Sequence, residues 1–113
     1  MGAPLWLSAV VLAELYAGTK DRDRAVLEKL ERDFDRTKRV LVPNLSDWTD
    51  AGQLLSRLAA KYHNERIGQS RLTNDVLTAM SAARYGIRVI TADERDFRRI
   101  AEFRAFEWEI FAI

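Results

Sequence analysis

Four carboxylates stand out by type and place: Glu14, Asp75, Asp93 and Asp96. Glu14 interrupts an apolar stretch, Ala9-Val10-Val11-Leu12-Ala13-Glu14-Leu15-Tyr16-Ala17. A carboxylate there must be paired, protonated, metal-bound, or turned toward a cleft or the one wet face of the helix. Asp75 opens an alanine-rich helical segment, and Asp93 and Asp96 follow the apolar run Ile87-Arg88-Val89-Ile90-Thr91. Taken singly, each has a plain structural account. Glu14 suits an exposed helix face, Asp75 suits the positive end of a helix dipole, and Asp93 suits an N-cap. Taken together they point elsewhere, because grouped carboxylates repel one another and a cluster of them needs a cation. Hard oxygen ligands suit Mg2+ or Mn2+. Such an ion lowers the pKa of a coordinated water and clamps a phosphate for in-line attack, with no histidine or lysine base required. The chemistry favoured is phosphodiester hydrolysis. His63, the single histidine, is weak evidence for a catalytic base.

The elements that must position these acids follow from periodicity. Pro4-Leu5-Trp6-Leu7 reads as a strand, Ser8 as an N-cap, and residues 9–17 as a helix that Gly18 stops. Being apolar almost all round, that helix is expected to be buried. Residues 21–36 form a charged helix with Val26, Leu27, Leu30 and Phe34 as its stripe, and residues 39–43 a second strand. A long helix starts near Asp47, its stripe Trp48, Ala51, Leu55, Leu58 and Tyr62 with Leu54 alongside; residues 63–70 then read as a loop. The next helix is expected from about Asn74, with Asp75 in its first turn and Gly86 as its stop. The third strand covers residues 87–91, a short helix runs through Ile100, and the alternation over 106–113 suggests an edge strand. The order β-α-α-β-α-α-β-α-β predicts a three-layer α/β/α fold with a mostly parallel sheet. Ligands bind beyond the carboxyl ends of such strands, where the four acids are expected to meet at one sheet edge.

The bulk numbers limit the partners. At 113 residues, 48 % hydrophobic and 31 % charged, the sequence suits one soluble domain, residues 1–113. A net charge of +1 does not by itself argue for nucleic acid. A local basic patch remains open, since Arg66, Arg71, Arg84, Arg88, Arg95, Arg98 and Arg99 lie near the acids in sequence. With no cysteine, disulfides and cysteine-ligated metal sites are excluded. No apolar run approaches the ~20 residues of a membrane span, and no basic region precedes an apolar N-terminal run. A cytoplasmic protein is expected.

Three segments carry a family resemblance: Ser8-Ala9-Val10-Val11-Leu12-Ala13-Glu14-Leu15-Tyr16-Ala17-Gly18, then Asn74-Asp75 with its alanine-rich helix, then Ile90-Thr91-Ala92-Asp93-Glu94-Arg95-Asp96-Phe97. In this order they resemble the PIN domain, and more narrowly the VapC toxins of bacterial toxin–antitoxin pairs. The resemblance implies a Mg2+- or Mn2+-dependent endoribonuclease acting on RNA, held inactive by a cognate antitoxin and commonly a homodimer. Carried over by position, Glu14, Asp75 and Asp93 match catalytic, metal-binding acids, and Asp96 matches an additional metal-site acid. Thr91 matches a supporting polar residue, with Asn74 and Arg71 beside the site as further candidates for support or substrate contact. One departure matters. The PIN domain opens on a central strand ending in an aspartate, and that strand is missing from this chain. Neighbouring strands sit about 4.8 Å apart, so its loss leaves a slot of unpaired backbone, which is costly when buried. The flanking strands could close up, another chain could lend a strand by exchange, or the sequence could be a truncated form of a longer protein. The alternative function is then a catalytically impaired fragment that binds an antitoxin or itself.

Overall fold

The computed structural model describes residues 4–63 and 70–110. Over these the chain runs β1 (Leu7–Ser8), α1 (Ala9–Gly18), α2 (Arg24–Arg36), β2 (Val40–Leu41), α3 (Leu45–Lys61), α4 (Ser70–Tyr85), β3 (Val89–Thr91), α5 (Glu94–Ala101) and β4 (Trp108–Ile110), with a 3-10 turn over Asp21–Asp23 ahead of α2. This is an α/β fold with parallel strands. The chain forms two compact units, Met1–Val42 and Pro43–Ile113. Among the described residues the strands form two parallel pairs, β1 with β2 and β3 with β4. The helices between β1 and β2 return the chain beside β1 in the same direction, and α5 does the same for β4 beside β3.

In the first unit, Leu7 pairs with Val40 and Ser8 with Leu41. Ser8 caps α1 as expected, its hydroxyl accepting from the Val10 and Val11 amides at 3.2 and 3.4 Å. The expectation that α1 is buried fails: none of its residues is buried, and none of α2's is. Two helices and a two-stranded pair are too few to enclose a helix that is apolar all round. Within the α2 stripe, Leu27, Leu30 and Phe34 are half-buried while Val26 is exposed. The end of α2 carries a local cost. Lys38 sits at φ 59°, the left-handed region that glycine favours, while the Arg39 amide donates to the Phe34 carbonyl at 2.9 Å to close the turn. Lys38→Gly is therefore expected to stabilise the protein by about 1 kcal/mol, measurable as a raised urea midpoint.

The second unit holds most of the core. The α4 residues Val76, Leu77, Ala79, Met80, Ser81 and Ala82 are all buried, and they meet Ala51, Leu54 and Leu58 of α3 and Phe97 and Ile100 of α5. The small residues let the helices approach closely, as the sequence indicates. Trp48 departs from its expected place in the α3 stripe and is exposed, because the buried face of α3 turns out to be Asp47, Ala51, Leu54 and Leu58. Asn44 begins α3 with a capping box. Its side chain accepts from the Asp47 amide at 2.9 Å, and the Asp47 carboxylate accepts from the Asn44 amide at 3.0 Å. Asn44→Ala should cost ~1 kcal/mol in chemical denaturation.

The buried Asp47 carboxylate also receives Nε and Nη2 of Arg84, from the far end of α4, at 3.0 and 2.9 Å. Gly86, at φ 67°, stops α4 as expected. The chain then enters β3, where Val89 pairs with Trp108 and Thr91 with Ile110. Phe97 tucks under β4, its ring centroid 6.4 Å from Trp108 and 6.2 Å from Phe106. The expected edge strand is thus realised over Trp108–Ile110, and residues 111–113 lie outside the described residues.

Candidate metal centre

Asp75, Asp93 and Asp96 come together in the second unit, each offering a carboxylate oxygen within 4.8 Å of the others. Two elements position them. Asp75 projects from α4, whereas Asp93 and Asp96 belong to the turn that launches α5. The Thr91 hydroxyl accepts from the Asp93 amide at 3.0 Å, and Asp93 Oδ1 accepts from the Asp96 amide at 3.2 Å. Thr91 therefore holds the turn, and Asp93 is the N-cap of α5 as well as a member of the cluster.

The structure corrects one expectation about Asp75. Helix α4 begins by Ser70 rather than near Asn74, so Asp75 lies in the second turn and the first turn carries no acid. A helix dipole acts within the terminal turn, so it no longer accounts for a carboxylate at this position. Asp75 Oδ2 is buried and has no hydrogen-bond partner. Burial first, then the neighbouring Asp93 and Asp96 carboxylates, pushes the Asp75 carboxyl up to about 8. Asp96 is raised as well, by burial and then by the Asp93 charge. Burial also works against ionising Asp93, but the Asp96 amide, the Asp75 side chain and the nearby Arg71 outweigh it and hold Asp93 below its ordinary range. The three titrate as one system, with one charge retained on Asp93 and a proton favoured on Asp75.

A divalent ion fits this arrangement. Mg2+ takes oxygen ligands at about 2.1 Å, which places two ligands on one ion roughly 3 to 4 Å apart. The oxygens here need only a small side-chain closure to reach that spacing. An ion would also give the orphaned Asp75 oxygen the partner it lacks and remove the repulsion that protonates it.

The remaining candidates are placed as follows. Arg71 Nη2 lies 3.4 Å from Asp93 Oδ2 with its side chain largely in solvent. Asn74 is half-buried next to Asp75 on α4. Glu14 is exposed on α1 in the first unit, where it lines an open groove of about 380 Å³ with Leu15, Thr19, Lys20 and Leu27. Of the arginines near the acids in sequence, Arg84 is engaged by Asp47, Arg88 by Glu107 and Arg98 by Glu94; Arg66 lies outside the described residues. His63 is exposed after α3. The Asp47–Arg84 pair, 37 residues apart, has no sequence signature.

Residues 1–103 match the profile of the PIN domain. The chain belongs to the PIN domain family. PIN domains are generally nucleases that use divalent metals, which sets the coarse activity class for this one. A chain of the structure of FitAB bound to an IR36 DNA fragment has a similar fold, with a TM-score of 0.63 and 20 % sequence identity over 93 % of this chain and 71 % of that one. No curated protein matches the sequence. Among the described residues, no helix of this PIN domain is long and apolar enough to cross a membrane.

Proposed function

We propose that this PIN domain is a VapC-like toxin, an endoribonuclease that uses Mg2+ or Mn2+ to cleave RNA and is restrained by a cognate antitoxin. The observation that carries the reading is the buried, unpartnered Asp75 Oδ2 beside the Asp93 and Asp96 carboxylates. A structural carboxylate would be expected to have a hydrogen-bond partner, whereas one kept for a cation need not. An ion held there would supply Lewis acidity to a phosphodiester and a water that ionises near neutral pH. Asp75, Asp93 and Asp96 would hold it, Thr91 keeps the Asp93 turn in place, and Arg71, largely in solvent at the rim beside Asp93, would be the cation nearest an incoming phosphate. Glu14 and Asn74 enter on the family resemblance alone.

The antitoxin reading draws on the first unit. Its helices α1 and α2 contain no buried residue, and the groove along α1 presents Leu15 and Leu27 among Glu14, Lys20, Arg22 and Asp23. An amphipathic partner helix with apolar anchors at i, i+3 and i+4 fits such a groove. The FitAB assembly, with its bound DNA, offers a precedent for a two-protein complex.

The direct test is Mn2+ titration followed by cleavage of single-stranded RNA, with the wild type, Asp75→Asn, Asp96→Asn and Glu14→Gln compared. Cleavage that needs Mn2+ and is lost in Asp75→Asn and Asp96→Asn supports the proposal, and Glu14→Gln reports whether Glu14 takes part. If Mn2+ leaves stability unchanged and no RNA is cut, the domain is a binding module, and an antitoxin pull-down becomes the relevant assay.

A further inference from the structure

A hollow of about 180 Å³ lies between α3, α4 and the turn that follows α5, room for roughly six waters at ~30 Å³ each. Leu54 and Met80, both buried, make its floor, and the half-buried Phe103 lines it too. Asp50, Gln53 and Arg57 reach it from one stripe of α3, at spacings of three and four, and Arg104 from the segment after α5. The metal centre sits at the first turn of α5, whereas this hollow lies past the last. Eight residues of helix separate them, about 12 Å at ~1.5 Å per residue.

The charges in the hollow are unpaired. In the second unit Lys61, Arg71, Arg84, Arg88 and Arg98 are each in an ion pair, and Arg99 stacks on the Tyr62 ring, 4.1 Å from its centroid. Arg57 and Arg104 have neither an ion pair nor a side-chain hydrogen bond among the described residues. Asp50, half-buried in the same hollow, has none either. The Phe103 side is braced before any ligand arrives. Lys61 Nζ stands 5.8 Å from its ring centroid and is paired with Glu102, which also accepts from the Tyr62 hydroxyl at 2.7 Å. Such preorganisation lowers the cost of binding.

Two guanidiniums without partners suit a phosphate, whose oxygens match their paired N–H donors. Asp50 tells against a bare anion, which it would repel, and calls for a ligand that brings its own N–H donor. A nucleobase has such a donor on its edge and a flat face for an aromatic ring. Asp50 and Arg57 stand two turns apart on α3, roughly 10 Å along its axis, so the donor and the phosphate must lie at opposite ends of the ligand, as they do in a nucleotide. We propose that this hollow binds a nucleoside monophosphate, its phosphate held by Arg57 and Arg104, its base against Leu54, Met80 and Phe103, and the amino edge of the base toward Asp50 and Gln53. The source is a free nucleotide or the phosphorylated end of an RNA. The site is separate from the metal centre and independent of the nuclease assignment.

Calorimetric titration of the full chain with adenosine monophosphate, without divalent metal, tests it. Metal-free, the acid cluster repels a phosphate, so the titration reads the hollow. The wild type should bind the nucleotide more tightly than inorganic phosphate. Arg57→Gln and Arg104→Gln should each weaken it at least about tenfold; both residues are exposed, so the circular dichroism spectrum should not change. Asp50→Ala should weaken the nucleotide and strengthen inorganic phosphate. Asp75→Asn should bind the nucleotide as the wild type does, which keeps this result apart from that of the metal centre. A short RNA with and without a terminal phosphate separates the sources: binding that needs the phosphate and exceeds that of the mononucleotide marks an RNA end, and equal, weaker binding of the two RNAs marks the free nucleotide. No binding of the mononucleotide at millimolar concentration, affinity no greater than for inorganic phosphate, or indifference to both arginine substitutions overturns the proposal.

Discussion

Asp75→Asn is expected to make the metal-free protein more stable at neutral and alkaline pH while abolishing both the proposed response to Mn2+ and the proposed cleavage of RNA. The sign follows from the direction of the shift. The Asp75 carboxyl titrates at about 8 in the folded state, against 3.8 for an ordinary aspartate. Between those values the folded chain holds a proton that the unfolded chain has released, so metal-free stability falls as pH rises through this window and levels off above it. Asparagine mimics the protonated acid at every pH, so the variant should lose that part of the pH dependence. If the proposed metal centre is right, Mn2+ should reverse the slope in the wild type by replacing the proton as the partner of Asp75 Oδ2. At a concentration one hundred times its Kd it should add about 2.7 kcal/mol, and it should add nothing to the variant. The loss of cleavage should exceed about a hundredfold, since residues that merely support metal ligands already cost 10- to 100-fold. Thermal melts at several pH values, with and without Mn2+, make the measurement. A variant less stable than the wild type above pH 8 would show Asp75 to be a structural acid and would remove the basis of the metal centre.

That prediction depends on a feature the sequence placed only in part. Asp75, Asp93 and Asp96 were legible as a group because each adjoins an element that the apolar pattern marks clearly, and because Asp93 and Asp96 share one turn. What the pattern could not supply was the start of α4. The first polar positions of that helix, Ser70, Arg71 and Thr73, look like loop residues, so the helix reads as starting near Asn74, and Asp75 acquires a helix-dipole explanation that the structure removes. Caps at Ser8, Asp93 and Gly86 were readable for the opposite reason: each is a local arrangement spanning three or four residues.

Burial was less legible than secondary structure. Apolar composition shows that a helix needs cover and leaves open whether the chain itself supplies it. Helix α1 is apolar yet contains no buried residue, Leu45 and Trp48 of α3 are exposed, and periodicity alone assigns Trp48 to the interior. The strands show the same limit. Each run was readable, but the division into two parallel pairs depends on which strands find partners, and pairing is a property of the whole chain.

The largest stability effect is expected at a pair that no local pattern reveals. Asp47 is 1 % exposed, and its carboxylate is met by Arg84 and by the Asn44 amide. Burial opposes its ionisation, but the Arg84 hydrogen bonds and the Asn44 amide outweigh that and hold the carboxyl below its ordinary range. Arg84→Met leaves this charge buried with its main partner gone, which should cost about 3–5 kcal/mol in urea unfolding. Part of the loss is the guanidinium packed over the Tyr85 ring, 4.3 Å from its centroid. The pH signature runs opposite to that of Asp75. A depressed carboxyl adds stability above its unfolded pKa, and that stability is lost as pH falls through the lower folded value; Arg84→Met should therefore flatten the acid limb. The compensating change is Asp47→Asn, which keeps an oxygen for the Asn44 amide and removes the buried charge. Adding it to Arg84→Met should recover much of the loss, because a buried ion pair contributes little over a well-matched neutral pair, whereas half of one is strongly destabilising. If Arg84→Met lies within about 1 kcal/mol of the wild type, at the scale of an exposed pair, the link between the two helix ends does not hold this core together, and the packing of Ala51, Leu54 and Leu58 against α4 must do so without it.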